Sequence, residues 1–408
     1  MNHLVGGISS AGRALPVVDG TSLLASRSRG PYVWDQTGRR YIDTALGFGA
    51  TVLGHAHPVV VNAVTRALLD GPMPAFAHAG EEEAAATLTA ATGSLSRAIF
   101  TNTGSEAVHL ACRLARAATG RGRIAKMAAG FDGWYDDVAF GNAGSPEADM
   151  RANERPWQRD TTLLRFNDFD DVESLFAESG DIAAILMEPM LANAGCILPE
   201  PGYLRHVETV AHRNGAMVIL DEVLMGFRTR FGLAGQAMAI EADLATVGKA
   251  IGSGIAVAAV VGTPEIMALS ESGQVARAGT YSGNPVATTA VTATLGLLAK
   301  QDYPAFVARG DSLRLGIEQA FTDAGTAVTT SGYGSVFTVW FSDAAPKNYR
   351  DAAAKADERR SFDLHAALRR AGLLAMPSPF GRMYLSTAHD KETIEEMIGM
   401  FRVAAASL

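Results

Sequence analysis

The spacing of apolar and polar positions changes rhythm along this chain. Around Tyr32 to Asp43 (YVWDQTGRRYID) apolar residues alternate on both sides of a polar Asp-Gln-Thr-Gly turn, which predicts a hairpin. From Pro58 to Leu69 apolar residues recur at helical spacing through Val60, Val64 and Leu68, and a second helical pattern covers Glu81 to Ala91. The segment RAIFTNTGSEAVHLACRLARAATG then predicts a short buried strand at Ala98 to Thr101, a Thr/Gly/Ser turn and a helix stopped by Gly120. Further apolar runs at 182–189, 215–223, 244–251 and 257–262 are separated by helical or loop stretches. Continuous apolar strands alternating with helices imply a mostly parallel sheet covered on both faces, a doubly wound α/β domain over residues 61–290. Past a long helix starting near Asn284, the run Ser335 to Ser342 and the amphipathic stretches 360–371 and 390–405 predict a smaller α+β domain over 291–408. Residues 1–60 would join it, so that it is built from both termini. The polar stretch Arg151 to Arg165 reads as a long surface loop, either a lid or an ordinary solvated connection.

Charge and composition narrow the classes of function. With 35 Lys+Arg against 43 Asp+Glu and a net charge of −8, the chain offers no basic surface to a phosphate backbone, so nucleic acid is not an expected partner. Its 48% hydrophobic and 19% charged residues suit a large core. Cys112 and Cys196 are too few for a disulfide scaffold, which favours a reducing compartment, the cytoplasm by default. The longest apolar run, Ile255 to Val261, falls short of the roughly 20 residues that span a bilayer, and no membrane partner is expected.

In doubly wound sheets ligands sit beyond the carboxyl ends of the strands, so residues following each apolar run are candidates for chemistry. After Ala98 to Thr101 come Asn102-Thr103-Gly104-Ser105-Glu106, which open a helix. The free N–H groups and positive end of that helix suit one phosphate, with Gly104 allowing close approach, but a plain helix cap uses the same residue types. Asp221 and Glu222 close the run Val218 to Val223, and because strand side chains alternate they point to opposite faces and form no acid/base dyad. A buried carboxylate keeps its charge only beside a cation or a donor. For one of the two, either a protonated heterocyclic nitrogen of a cofactor or a salt bridge to a nearby arginine such as Arg228 would serve. Lys249 lies between two apolar runs, where partial desolvation lowers its pKa and favours attack on carbonyls; the alternative is a lysine that snorkels to the surface. His55-Ala56-His57 has no third ligand at metal-site spacing, and neither HExxH nor GxSxG occurs, so no metal centre or serine hydrolase is expected.

In their order along the chain, GHAHP (54–58), TNTGSEAVHLACRLARAATGR (101–121), EP (188–189), VILDEVLMGFR (218–228), GKAIGSGIAVAAVVG (248–262), GTYSGNPVA (279–287) and PSPFGRMYLSTAH (377–389) resemble the class III, fold-type I pyridoxal-phosphate (PLP) aminotransferases. Within them the similarity is to the glutamate-1-semialdehyde aminomutase branch. What the resemblance implies is specific. Lys249 would be the lysine that carries the cofactor, and Asp221 would hold the pyridine nitrogen protonated so that the ring acts as an electron sink. Gly104 and Ser105 would hold the phosphate, with Thr280 reaching it from the neighbouring subunit of a homodimer whose active sites are shared. Phe131 would stack on one ring face and Val223 on the other, with Asn193 near the ring's 3-hydroxyl side. Family members commonly read Tyr-His-Gly where this chain has Phe131-Asp132-Gly133. The aminomutase branch carries Glu where Gly381 stands and Trp where Phe48 stands, while Arg13 aligns with an arginine that contacts the substrate carboxylate there.

The expected reaction is ping-pong transamination from an amino-acid donor to a carbonyl acceptor, with Lys249 first as covalent anchor and then as proton shuttle. Similar enzymes of secondary metabolism act on oxidised sugars and aminoglycosides, and Asp132, Asp136 and Asp137 in GFDGWYDD could meet the ammonium groups of such a substrate or form a solvated acidic loop. An isomerase, aminomutase or epimerase, that returns the amine to the same substrate shares every one of these residues.

Overall fold

The computed structural model describes residues 3–150 and 157–408. Its centre is an eight-stranded sheet, running in spatial order Arg97–Thr101, Ala258–Gly262, Leu244–Val247, Met217–Glu222, Ile182–Met187, Arg123–Met127, Thr161–Leu164 and Trp157–Gln158. The five strands from Leu244–Val247 to Thr161–Leu164 pair in parallel, and Ala258–Gly262 and Trp157–Gln158 run antiparallel to their neighbours.

Both faces of this sheet are buried, which is why its strands are apolar without a break. Along Ile182–Met187, Ile185 and Met187 pack into one cluster with Leu204 and Val207 of the helix Tyr203–Arg213. Ala184 and Leu186 face the other way, against Val108, Ala111 and Leu114 of the helix Gly104–Thr119. That second helix starts on a capping box, Thr103 accepting from the Glu106 N–H while Glu106 reaches back, and stops at Gly120 in a left-handed conformation.

The apolar pattern places Ala258–Gly262 among the parallel strands, but it runs antiparallel to both neighbours. A tight reversal sets its direction: the chain leaves Leu244–Val247 through a short 3-10 helix, Lys249–Gly252, and turns at Ser253 and Gly254, both at positive φ. The stretch 151–165 also departs from a plain surface loop. Its first six residues lie outside those described, but Thr161–Leu164 is buried throughout and continues the parallel sheet, with Trp157–Gln158 forming the edge. Four residues without apolar alternation gave no strand signal, since Thr161 and Thr162 are buried through sheet pairing rather than through hydrophobicity.

Two smaller sheets complete the molecule. One orders Ala25–Arg29, Tyr32–Asp35, Arg40–Asp43 and then Leu373–Leu374 in parallel, so segments from both ends of the chain share it. The other joins Thr329–Tyr333, Val336–Trp340 and Arg382–Tyr384. Ile42 packs in one apolar cluster with Phe306, Ile317, Leu368, Met397 and Phe401 from the helices Tyr303–Asp323, Glu358–Ala371 and Lys391–Ala405. Among the described residues no helix is long and apolar enough to cross a membrane.

Candidate active site

A cavity of about 350 Å³ opens at the carboxyl ends of the parallel strands. Asp221, at the end of Met217–Glu222, is 5% exposed and lines it. Parallel pairing sets Thr246 beside Asp221, and the Thr246 hydroxyl donates to Asp221 Oδ1 at 3.0 Å while the Val223 N–H donates to the same oxygen at 2.9 Å. Burial nevertheless pushes the Asp221 carboxyl well above its ordinary range, with the charge of Asp132 adding to the effect. Glu222 takes the opposite face, where its Oε1 accepts from the Gly235 N–H at 2.7 Å, as strand alternation requires. Arg228 does not pair with Asp221: its guanidinium donates to the carbonyls of Leu224 and Gly49 and lies over the Tyr384 ring. The cationic partner of Asp221 is therefore not that arginine.

Lys249 borders the same cavity from the reversal after Leu244–Val247. Its φ of 42° is unusual for a side-chain-bearing residue and is imposed by the turn. Desolvation, reinforced by the Arg382 cation, lowers its pKa below the ordinary lysine value, with Asp221 and Glu188 opposing.

Gly104 and Ser105 line the cavity at the positive end of the helix Gly104–Thr119. A Cβ on Gly104 would come within 3.0 Å of a Val223 methyl, so only glycine lets helix and strand end approach this closely. Phe131, 50% exposed, and Val223 both border the space. The turn carrying Phe131 is fixed from two sides. At Gly133, φ 120°, a Cβ would lie 2.8 Å from Ser105 Oγ, which also accepts from the Trp134 N–H at 3.3 Å. Beneath, the buried Lys126 ammonium donates to the carbonyls of Gly130, Val138 and Phe140.

Asn193 lines the cavity and its Oδ1 accepts from Arg382 Nη1 at 2.8 Å. Arg382 and Glu188 also line it, and sequence reasoning named neither as a site residue. Arg382 comes from the three-residue strand Arg382–Tyr384 of the three-stranded sheet, where no local pattern marks it, and its solvent-shielded Nε has no partner. For Glu188 the signal was present, since it follows a predicted strand directly.

Several expected neighbours lie elsewhere. Asp132 does border the cavity but is 3% exposed, with Lys126 Nζ 3.3 Å from its Oδ2. Asp136 and Asp137 do not join it: Asp136 pairs with Arg159, and Asp137 with Arg116 and Arg159. The acidic run is thus split by a turn into one buried carboxylate beside Lys126 and two that pair with arginines, and it forms no common patch. Arg13 is exposed on a short 3-10 turn, and a Cβ on its neighbour Gly12 would touch the Phe48 ring at 3.3 Å; neither Arg13 nor Phe48 lines the cavity. Thr280 is exposed, in a stretch whose Gly279 and Ser282 line a second hollow of about 650 Å³. No group of three or more His, Cys, Asp or Glu placed to hold a metal ion occurs among the described residues.

Comparison with known proteins agrees with this geometry. The family model described as Aminotransferase class-III matches residues 16–404. A glutamate-1-semialdehyde 2,1-aminomutase of Rhodopirellula baltica is 35% identical, over 99% of this chain and 93% of its own length. An omega-transaminase from Sphaerobacter thermophilus superimposes with a TM-score of 0.91 at 28% identity, covering 99% of this chain and 94% of that one. A transaminase solved with PLP bound gives a TM-score of 0.87 at 27% identity, covering 99% and 95%. PLP is the cofactor, and the cavity fits it: a glycine cradle at a helix N-terminus, a buried strand-end carboxylate and a lysine of lowered pKa converge on one space.

Proposed function

Because the chain belongs to the class III aminotransferase family, we propose that its cavity moves an amino group from an amino-acid donor to a carbonyl acceptor, with a carboxylate-bearing substrate held at Arg382. The observation that carries the reading is the convergence of Asp221, Lys249 and Arg382 on one cavity. PLP, when bound, supplies an electron sink for the bond-breaking step. In this reading Gly104 and Ser105 receive its phosphate, Phe131 and Val223 flank its ring, and the Asp221 carboxylate, oriented by Thr246 and the Val223 N–H, faces the ring nitrogen. A cation against Asp221 restores the ionised form that burial alone disfavours. Lys249 Nζ would anchor the cofactor and, once released from it, would carry the proton from the substrate carbon that bears nitrogen to the cofactor carbon Lys249 had occupied, a task suited to an amine of lowered pKa.

In this reading Arg382 favours one substrate class over the other. A guanidinium with an unpartnered N–H recognises a carboxylate by paired hydrogen bonds. The acidic groups that an oxidised aminoglycoside would need are already engaged with Lys126, Arg116 and Arg159. The geometry therefore favours an amino acid or keto acid over a polycationic sugar. Conversion of a single amino substrate remains the second reading, favoured by the 35% identity to an aminomutase. The two separate cleanly, since an isomerase turns over without an added acceptor.

The test is the visible spectrum of the purified holoenzyme with L-glutamate, L-glutamine or an aminoglycoside added separately. The donor amino acid should shift the cofactor band and the aminoglycoside should not; the reverse would remove the Arg382 assignment. Lys249→Ala should abolish turnover. Arg382→Ala should raise KM for the carboxylate substrate about 100-fold, roughly the worth of a desolvated charged hydrogen bond.

The homodimer with shared sites belongs to the same proposal. Phe76 and Tyr281, 83% and 63% exposed, are the chain neighbours of Ala77 and Ser282, which line the hollow beside Thr280, and large apolar side chains left open near a recess suit a second copy of the chain.

A further inference from the structure

Two carboxylates beyond Asp221 border the reaction cavity. Asp132 and Glu188 are 3% and 6% exposed. Glu188 Oε1 has no hydrogen-bond partner, and Asp132 Oδ2 has the Lys126 ammonium 3.3 Å away. Both oxygens lie within 3.6 Å of one point, the place a Cβ on Gly130 would occupy. Two ionised carboxylates on one small, shielded space repel, which favours a proton on one of them.

Their surroundings decide which. Burial raises the Asp132 carboxyl too, but Lys126, wholly buried on the strand Arg123–Met127, stands 3.3 Å from Asp132 Oδ2 and opposes that rise by favouring charge there. Glu188, just past the end of Ile182–Met187, faces Asp132 and Asp221, whose repulsion outweighs the attraction of Arg382 from the three-stranded sheet and of Lys249. We propose that Asp132 and Glu188 share a single proton carried by Glu188, so that Glu188 offers the cavity a neutral hydrogen-bond donor while Asp132 stays charged against Lys126.

The titration of Glu188 runs the same way: burial, with the charges of Asp132 and Asp221 adding to it, pushes its carboxyl up to about 8. The arrangement is tied to this sequence. A neutral imidazole at position 132, the residue type common in the family, would leave Glu188 without that carboxylate neighbour. Here the aspartate keeps a proton stored beside Lys249 and leaves Asp221 free to act as the ionised partner of the ring.

The inference rests on the aminotransferase reading for its meaning, but its test needs no turnover. Infrared difference spectra of the PLP-loaded enzyme, titrated from neutral to alkaline pH, report protonated carboxyls by their C=O stretch. A band should be present at neutral pH and vanish with a midpoint near the value of about 8. It should be missing from Glu188→Gln. In Asp132→Asn its midpoint should fall by about one pH unit, because a repelling charge has gone. Glu222, also pushed up by burial but to about 7, contributes a second band that both variants retain and that serves as an internal reference. The same band in Glu188→Gln, or an unmoved or higher midpoint in Asp132→Asn, would overturn the pairing. Should Glu188→Gln fail to fold, the Asp132→Asn midpoint alone decides, since it leaves Glu188 in place. A negative infrared result in an enzyme that still transaminates through Lys249 would sink this pairing and leave the reaction assignment standing.

Discussion

Lys249 shows how a single residue gains its chemistry from position. An exposed lysine is almost fully protonated at neutral pH and a poor nucleophile; withdrawn from water and beside Arg382, Lys249 reaches the neutral form at lower pH. The apoprotein should therefore capture PLP at a rate that rises with pH through a midpoint well below the ordinary lysine value of 10.5. Stopped-flow absorbance checks this, and a midpoint near the free-lysine value would show that the cavity does not perturb the amine. The sign follows from the charged form: desolvation penalises the ammonium, so the proton leaves earlier on a rising pH scale. Removing the Arg382 cation relieves part of that penalty, and Arg382→Ala should move the midpoint upward, the direction opposite to loss of a carboxylate neighbour.

At the scale of the element, the helix Gly104–Thr119 combines two separable functions in its first turn. Thr103 and Glu106 close a capping box that stabilises the helix, whereas Gly104 sets how closely the helix approaches Val223. Thr103→Ala should thus lower unfolding free energy by about 1 kcal/mol, measured by urea denaturation. Gly104→Ala should instead weaken PLP binding about tenfold, measured by cofactor titration, because an added Cβ at 3.0 Å from Val223 must displace the cradle. If both variants changed stability and PLP affinity in parallel, the division of labour would be wrong. The sequence showed this turn clearly, since Thr-x-x-Glu before an apolar helical pattern is a local signal. It could not show that Thr246 orients Asp221, because that contact depends on which strands become neighbours in the sheet. The strand Thr161–Leu164 was illegible for a related reason, its burial being decided by parallel pairing to Arg123–Met127.

For the whole molecule, the proposed dimer makes two demands. Light scattering should give twice the 42.8 kDa chain mass. Thr280→Ala should weaken PLP binding severalfold although Thr280 lies outside its own chain's cavity; a monomer, or full affinity in that variant, would refute the shared site. The sequence by itself determined the doubly wound α/β core, the opposite faces of Asp221 and Glu222, and the helix N-terminus at Gly104, because periodicity, alternation and capping act over a few residues. Tertiary structure alone decided that Arg382, from a short strand of the three-stranded sheet, meets Asn193, that Lys126 holds Asp132 and underpins the Phe131 turn, and that Arg228 turns away from Asp221 toward Gly49. It also broke the acidic run of 132–137 into groups with different partners. Those contacts join residues far apart in the chain or on different sides of a turn, and their energies depend on burial and on the direction each side chain takes. Local pattern carries neither quantity, because burial and charge pairing are properties of the packed chain.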